Sequence, residues 1–250
     1  MTRSASAFWL SALVISATAG TASAADQAII RKAAAAPEAI EYGNLYYGFD
    51  WTSHRSLVGY MGVLYAPYGM HKSGLRVSAF GLGGDYRYQG DPGETFKGRF
   101  VTADVLVGWS HVFNNGAFTV QVGANYQNHR IRPNDPNNSV VGSETGFKVQ
   151  GDLWVNPTQR TLVYALASYS TAFNTYYSIG RLGYDFLGNG VFFGPEVGGL
   201  GNDRTDQFRV GAHLTNIKLG PAKVTLTSGW MRERDEGTGW YATGNIDFSF

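Results

Sequence analysis

Cysteine is absent from this 250-residue chain, so neither a disulfide framework nor a cysteine-ligated zinc site can hold it together. Beyond its N-terminus there is no apolar run approaching the roughly 20 residues that a membrane-spanning helix needs. Neither sign of charge dominates. Twenty Lys and Arg face 19 Asp and Glu, spread along the chain to a net charge of +1. Without a basic block to follow a phosphate backbone, a nucleic-acid partner is excluded.

Glycine and aromatic residues are abundant, with 33 Gly, 15 Tyr, 15 Phe and 6 Trp. The first 24 residues, "MTRSASAFWLSALVISATAGTASA", have Arg3 in a basic start, a short apolar stretch and an Ala22-Ser23-Ala24 ending. That is the layout of a secretory signal peptide cut after Ala24, with an apolar stretch too short to span a bilayer. Residues 25–43 are Ala-rich and read as a periplasmic leader, and the domain proper is expected over 44–250. An exported chain without disulfides must rely on extensive secondary structure, and rich Gly and Tyr point to β structure.

From Leu45 onward the chain runs in segments of about ten residues with a period of two. In 118–127, Phe118, Val120, Val122, Ala124 and Tyr126 share one face; Thr119, Gln121, Asn125 and Gln127 share the other. Segment 101–110 alternates in the same way. Asn115-Gly116 between them is a strong hairpin signal, because both turn positions favour φ above zero. Segments 147–155, 161–171, 176–186, 191–198, 207–215, 223–231 and 240–250 continue the pattern. Near the start, 44–52, 56–66 and 74–87 are strand-like with apolar residues on both faces. The count is twelve strands, or ten if the first three are misread. Connections alternate between tight turns such as "NPTQ" and longer polar loops at 89–98 and 129–144, as membrane barrels divide their two rims.

A closed antiparallel up-and-down barrel is the expected fold. Eight strands already give an interior that side chains just fill, so twelve must enclose a lumen. Val, Ala and Gly could not fill it, which places the apolar face against lipid and the polar face inside. A transmembrane β-barrel also satisfies every backbone hydrogen bond. The polar residues expected in the lumen are Asp104, Lys148, Asp152, Asp185, Glu196, Arg209, His213 and Asp247. Four tryptophans fit interfacial girdles, while Trp154 falls on the polar face. Phe250 resembles the terminal aromatic by which outer-membrane barrels are recognised for assembly.

No catalytic residue, cofactor or metal is assigned. Of five histidines, His213 alone sits on a clear lumen face, whereas His54, His71 and His129 fall in expected loops or turns and His111 on the apolar face. Acids and bases alternating along a barrel wall read as structural ion pairs rather than as the paired carboxylates of a glycosidase. "GLGGDY" lacks the strand–loop–helix setting of a phosphate-binding loop. The "RPNDPNN" loop lacks the ligand spacing of a calcium loop.

Several stretches carry a family likeness: "YMGVLYAPYG" with "SGLRV", "NHRIRPNDPNNSVVGSETGFKVQGDLWVNPT", "SYSTAFNTYYSIGRLGY" and "FFGPEVGGLGNDRTDQFRVGAHLT". Together they resemble the cellulose biosynthesis protein BcsS family of alphaproteobacterial type, over roughly 45–250. The resemblance implies a non-catalytic accessory barrel in the outer membrane of a Gram-negative bacterium. Its partners would be outer-membrane lipid and a cellulose synthase complex or cellulose chain. It brings no established site residues. Two alternatives follow from the residues alone: a general oligosaccharide or solute channel, and a barrel enzyme acting on lipid or glycan.

Overall fold

A computed structural model describes residues 40–89, 94–234 and 236–250; the expected signal peptide and most of the leader lie outside them. Twelve strands follow one another: β1 Gly43–Thr52, β2 Ser56–Tyr65, β3 Gly74–Gln89, β4 Thr95–Phe113, β5 Gly116–Arg132, β6 Gly142–Val155, β7 Thr161–Ser170, β8 Thr175–Tyr184, β9 Phe192–Gly201, β10 Asp206–Leu219, β11 Ala222–Glu233 and β12 Gly237–Ser249. Each pairs antiparallel with its sequence neighbours, and β1 pairs with β12 to close the barrel. The seam runs from Asn44 opposite Ser249 to Thr52 opposite Tyr241. Phe250 extends it, donating its N–H to the Gly43 carbonyl at 3.0 Å and accepting from Gly43 N–H at 3.0 Å. Closure leaves no strand edge, the condition lipid imposes on a spanning sheet.

Twelve strands at the usual spacing and tilt enclose a circle about 24 Å across between backbones. The alternation is oriented as lipid requires. On β4, Val101, Val105, Val107 and Trp109 are exposed outward, while Thr102, Asp104, Leu106 and Ser110 are buried inward. The first three strands obey the same rule, because their second apolar set, aromatic apart from Val58, Leu64 and Leu82, lies in the lumen. Tyr46, Tyr60 and Phe80 form one cluster there, with Phe80 6.2 Å from each tyrosine ring.

Glycine and tyrosine are rich for one shared reason. A Cβ on Gly62 would sit 2.4 Å from the Tyr46 ring, and one on Gly211 would sit 2.5 Å from the Tyr241 hydroxyl. Tyr46 thus covers glycine on the neighbouring strand β2, and Tyr241 reaches past β11 to glycine on β10, covering backbone that no side chain shields.

Two expectations about connections are corrected. The β4–β5 hairpin forms, but its two-residue turn is Asn114-Asn115, with Phe113 opposite Gly116. Neither asparagine adopts positive φ, so the turn does not work by the left-handed conformation expected of Asn115-Gly116. The presumed polar loops at 89–98 and 129–144 are shorter than expected: strand pairing continues to Gln89 opposite Thr95 and Lys97 opposite Arg132, and β5 and β6 are joined by 133–141. The rims therefore differ less in loop length than in wall height. The rim holding both ends of the domain is level, whereas β3, β4 and β5 rise as a tall sheet at the other, called the distal rim below.

Candidate functional site

The lumen is the one interior the fold provides, and its wall is built from inward residues of every strand. Three ion pairs brace it. Lys148 on β6 pairs with Asp104 on β4, whose other carboxylate oxygen accepts from Asn125 on β5. Arg209 on β10 forks onto Asp50 on β1, with its Nη2 2.9 Å from Oδ1, while Thr243 donates to Asp50 Oδ2 at 3.0 Å. Arg181 on β8 donates through Nε to Glu196 on β9 at 2.6 Å. Glu196 also accepts from Thr227 at 3.0 Å and Tyr241 at 2.9 Å.

Each cation also lies against a ring. Lys148 is 5.6 Å from the Phe80 centroid, Arg181 5.6 Å from Tyr164 and Arg209 4.8 Å from Tyr241. A desolvated cation gains from the negative face of a ring, so these contacts help to keep the charges inside. Tyrosines line opposite walls of the lumen: Tyr60 on β2 and Tyr177 on β8, and Tyr46 on β1 and Tyr164 on β7, stand half the strand order apart. Tyr177 remains 40% exposed although it points inward, so free space adjoins it.

The other expected lumen residues separate into three groups. His213 is inward and 1% exposed. Its Nε2 lies 3.1 Å from the Leu182 carbonyl, which can only accept, so the proton sits on Nε2 and Nδ1 accepts from Thr215 at 2.9 Å. Both nitrogens are thereby occupied. Asp152 and Asp247 face inward on β6 and β12, with Asn245 donating to Asp247. Asp185 is not a wall residue. It occupies the β8–β9 turn, accepting from the backbone N–H groups of Gly188 and Gly190, both at 2.7 Å. Desolvation would push the pKa of this carboxyl up, but the backbone donors outweigh it and hold the group below the ordinary carboxylate range.

At the distal end the β7–β8 connection turns into the lumen. Ala172 is fully buried and its carbonyl accepts from Gln127 Nε2 at 3.2 Å. Phe173, held at φ 49°, packs edge-on to His129 at 5.1 Å, and His129 stacks on Phe100 at 5.5 Å. His129, expected in a loop, is thus an inward residue of β5, because that strand runs to Arg132. Sequence reasoning also missed Asp50, Arg181, Tyr60 and Tyr177. Asp50 and Arg181 do fall on the polar alternation of their strands, but nothing in one sequence tells which inward charges meet across a lumen.

Outside, Trp51, Trp230 and Trp240 are exposed towards the distal rim and Trp109 towards the other. Trp154 faces inward, 5.8 Å from the Tyr164 ring and donating to Asn156 at 2.9 Å.

Among solved structures, the barrel is similar to the KdgM porin at 12% identity and a TM-score of 0.46, over 83% of this chain and 99% of that one. It is similar at 10% identity and a TM-score of 0.46 to the beta domain of the Bordetella autotransporter BrkA, over 84% and 99%. Likenesses this weak say nothing about function. No curated protein matches the chain. A closed twelve-strand barrel with an apolar outside and a charged inside is an outer-membrane protein, and the model of cellulose biosynthesis protein BcsS matches residues 44–250. The chain belongs to the BcsS family of cellulose biosynthesis proteins.

Proposed function

We propose that this barrel serves cellulose biosynthesis as a non-catalytic accessory of the outer membrane, holding the export machinery there rather than performing a chemical step. The observation that carries this reading is the braced lumen. Glu196 accepts from three donors, Asp104 and Asp50 are paired, and both nitrogens of His213 are engaged. A general base must be free to take a substrate proton, and these groups are already held by cations and donors of the wall. The level rim that holds both ends of the domain faces the periplasm, and the tall β3–β5 sheet faces outward, in keeping with the larger elements of such barrels being extracellular. Deleting the gene is expected to lower cellulose at the cell surface while synthase activity in isolated inner membranes stays unchanged. Unchanged surface cellulose would overturn the role.

A second reading, an oligosaccharide or solute channel, is favoured by one observation, the exposed inward ring of Tyr177. Planar-bilayer recordings discriminate the two. The accessory reading expects small or no conductance, and a steady pore current would favour the channel.

A further inference from the structure

Raising β3, β4 and β5 as strand rather than loop gives their charged residues a direction. Asp85 and Arg87 on β3, Lys97 and Arg99 on β4, and Arg130 and Arg132 on β5 are all exposed on the outer side of the wall. The register aligns them into two rows. Arg87 lies opposite Lys97, and Lys97 opposite Arg132; Asp85 lies opposite Arg99, and Arg99 opposite Arg130. Directly opposed residues stand about 5 Å apart, and the rows about 7 Å apart along the strands.

Five cations and one anion therefore share a small patch. Like charges directly opposed destabilise a sheet. Among the described residues the only ion pair in the patch is Arg99 Nε to Asp85 at 2.9 Å, with both side chains well exposed. Among the described residues, nothing internal accounts for the all-cationic row.

The location supplies the missing anion. Immediately below on the same outward faces come Val101, Val105, Val107, Val122 and Tyr126, all exposed and uncharged, which is the lipid-facing band. The rows stand where acyl chains give way to headgroups. We propose that they bind the phosphate groups of a phosphorylated glycolipid of the outer leaflet, whose acyl chains lie along the band below. Arginine forks match phosphate oxygens two at a time, and three neighbouring strands hold the forks in fixed register. The lipid would form a collar on one side of the barrel only, under the tall sheet. The site rests on the outward orientation of that sheet given above.

The test uses the full mature chain in detergent micelles, with bis-phosphorylated lipid A as probe and native mass spectrometry as readout. Wild type is expected to bind it at least ten times more tightly than the K97Q/R130Q/R132Q variant, with binding weakening as salt rises. R160Q, at the other rim, should bind as wild type does. Wild type should also prefer the phosphorylated lipid to its dephosphorylated form, a comparison that stands even if the triple variant fails to fold. Equal binding of the two lipids overturns the proposal, as does undiminished binding by a folded triple variant. Displacement of the lipid by a soluble acidic polysaccharide at equal phosphate or carboxylate concentration overturns the lipid as occupant. The orientation is read separately by labelling Asn137→Cys in intact cells with an impermeant maleimide. A labelled loop with no lipid binding sinks this site alone, whereas an unlabelled loop sinks the orientation.

Discussion

The inner and outer faces of one wall obey opposite rules, although the same strands supply both. Outward, Val105 is 63% exposed and has nothing to do but meet lipid. One residue earlier, Asp104 is 3% exposed and tied to Lys148 and Asn125. The outer face depends on what is missing, namely charge, because lipid offers no partner. The inner face depends on what is present, because each buried charge needs a named one. The first rule is local and the second is not.

Breaking the inner rule should have the largest effect. Glu196→Ala leaves Arg181 buried without its carboxylate and strips Thr227 and Tyr241 of their acceptor. A loss of about 3–5 kcal/mol is expected, read from urea unfolding of the refolded barrel in vesicles. A loss below about 1 kcal/mol would mean that water in the lumen replaces the carboxylate. Breaking the outer rule comes next. Val105→Arg puts a cation in the middle of the lipid-facing run of β4 and should cost about 2–4 kcal/mol in the same assay. A near-zero cost would place Val105 away from the bilayer midplane.

The smallest effect belongs to a charge on neither face. Asp185 has its carboxyl held below the ordinary range, so its contribution is fully present above about pH 4 and is lost as pH falls towards its folded value. Asp185→Asn is therefore expected to be slightly less stable than the native barrel at neutral pH, with the gap closing only below about pH 4. A gap that is constant over pH 3–8 would show that the carboxyl acts by shape rather than charge.

Much of this was legible in the chain itself. The alternation in 101–110 and 118–127 needs no partner to be read, because period two is a property of one strand. Twelve segments of it, an export signal and no cysteine lead to a lipid-facing barrel. The first strands were harder. Tyr46, Tyr60 and Phe80 look like core residues in sequence, and only the lumen explains aromatics on the polar face. Asp185 followed the alternation of its segment too far, since β8 ends at Tyr184 and the next carboxyl caps a turn. The loops at 89–98 and 129–144 look like loops because Pro, Gly, Asn and Asp mark turns; the second range does hold one at 133–141, while β5 runs on to Arg132 against β4.

By itself, then, the sequence determined the strand periods, the faces and the solvent each face requires, because these depend on residues two apart in one segment. Only the tertiary structure decided that Asp50 meets Arg209 across 159 residues, that Phe80 meets Tyr46 and Tyr60, and that Arg87, Lys97 and Arg132 stand in one row. Those pairings follow from register and closure, which sum the stagger of twelve strands, and no local pattern encodes that sum.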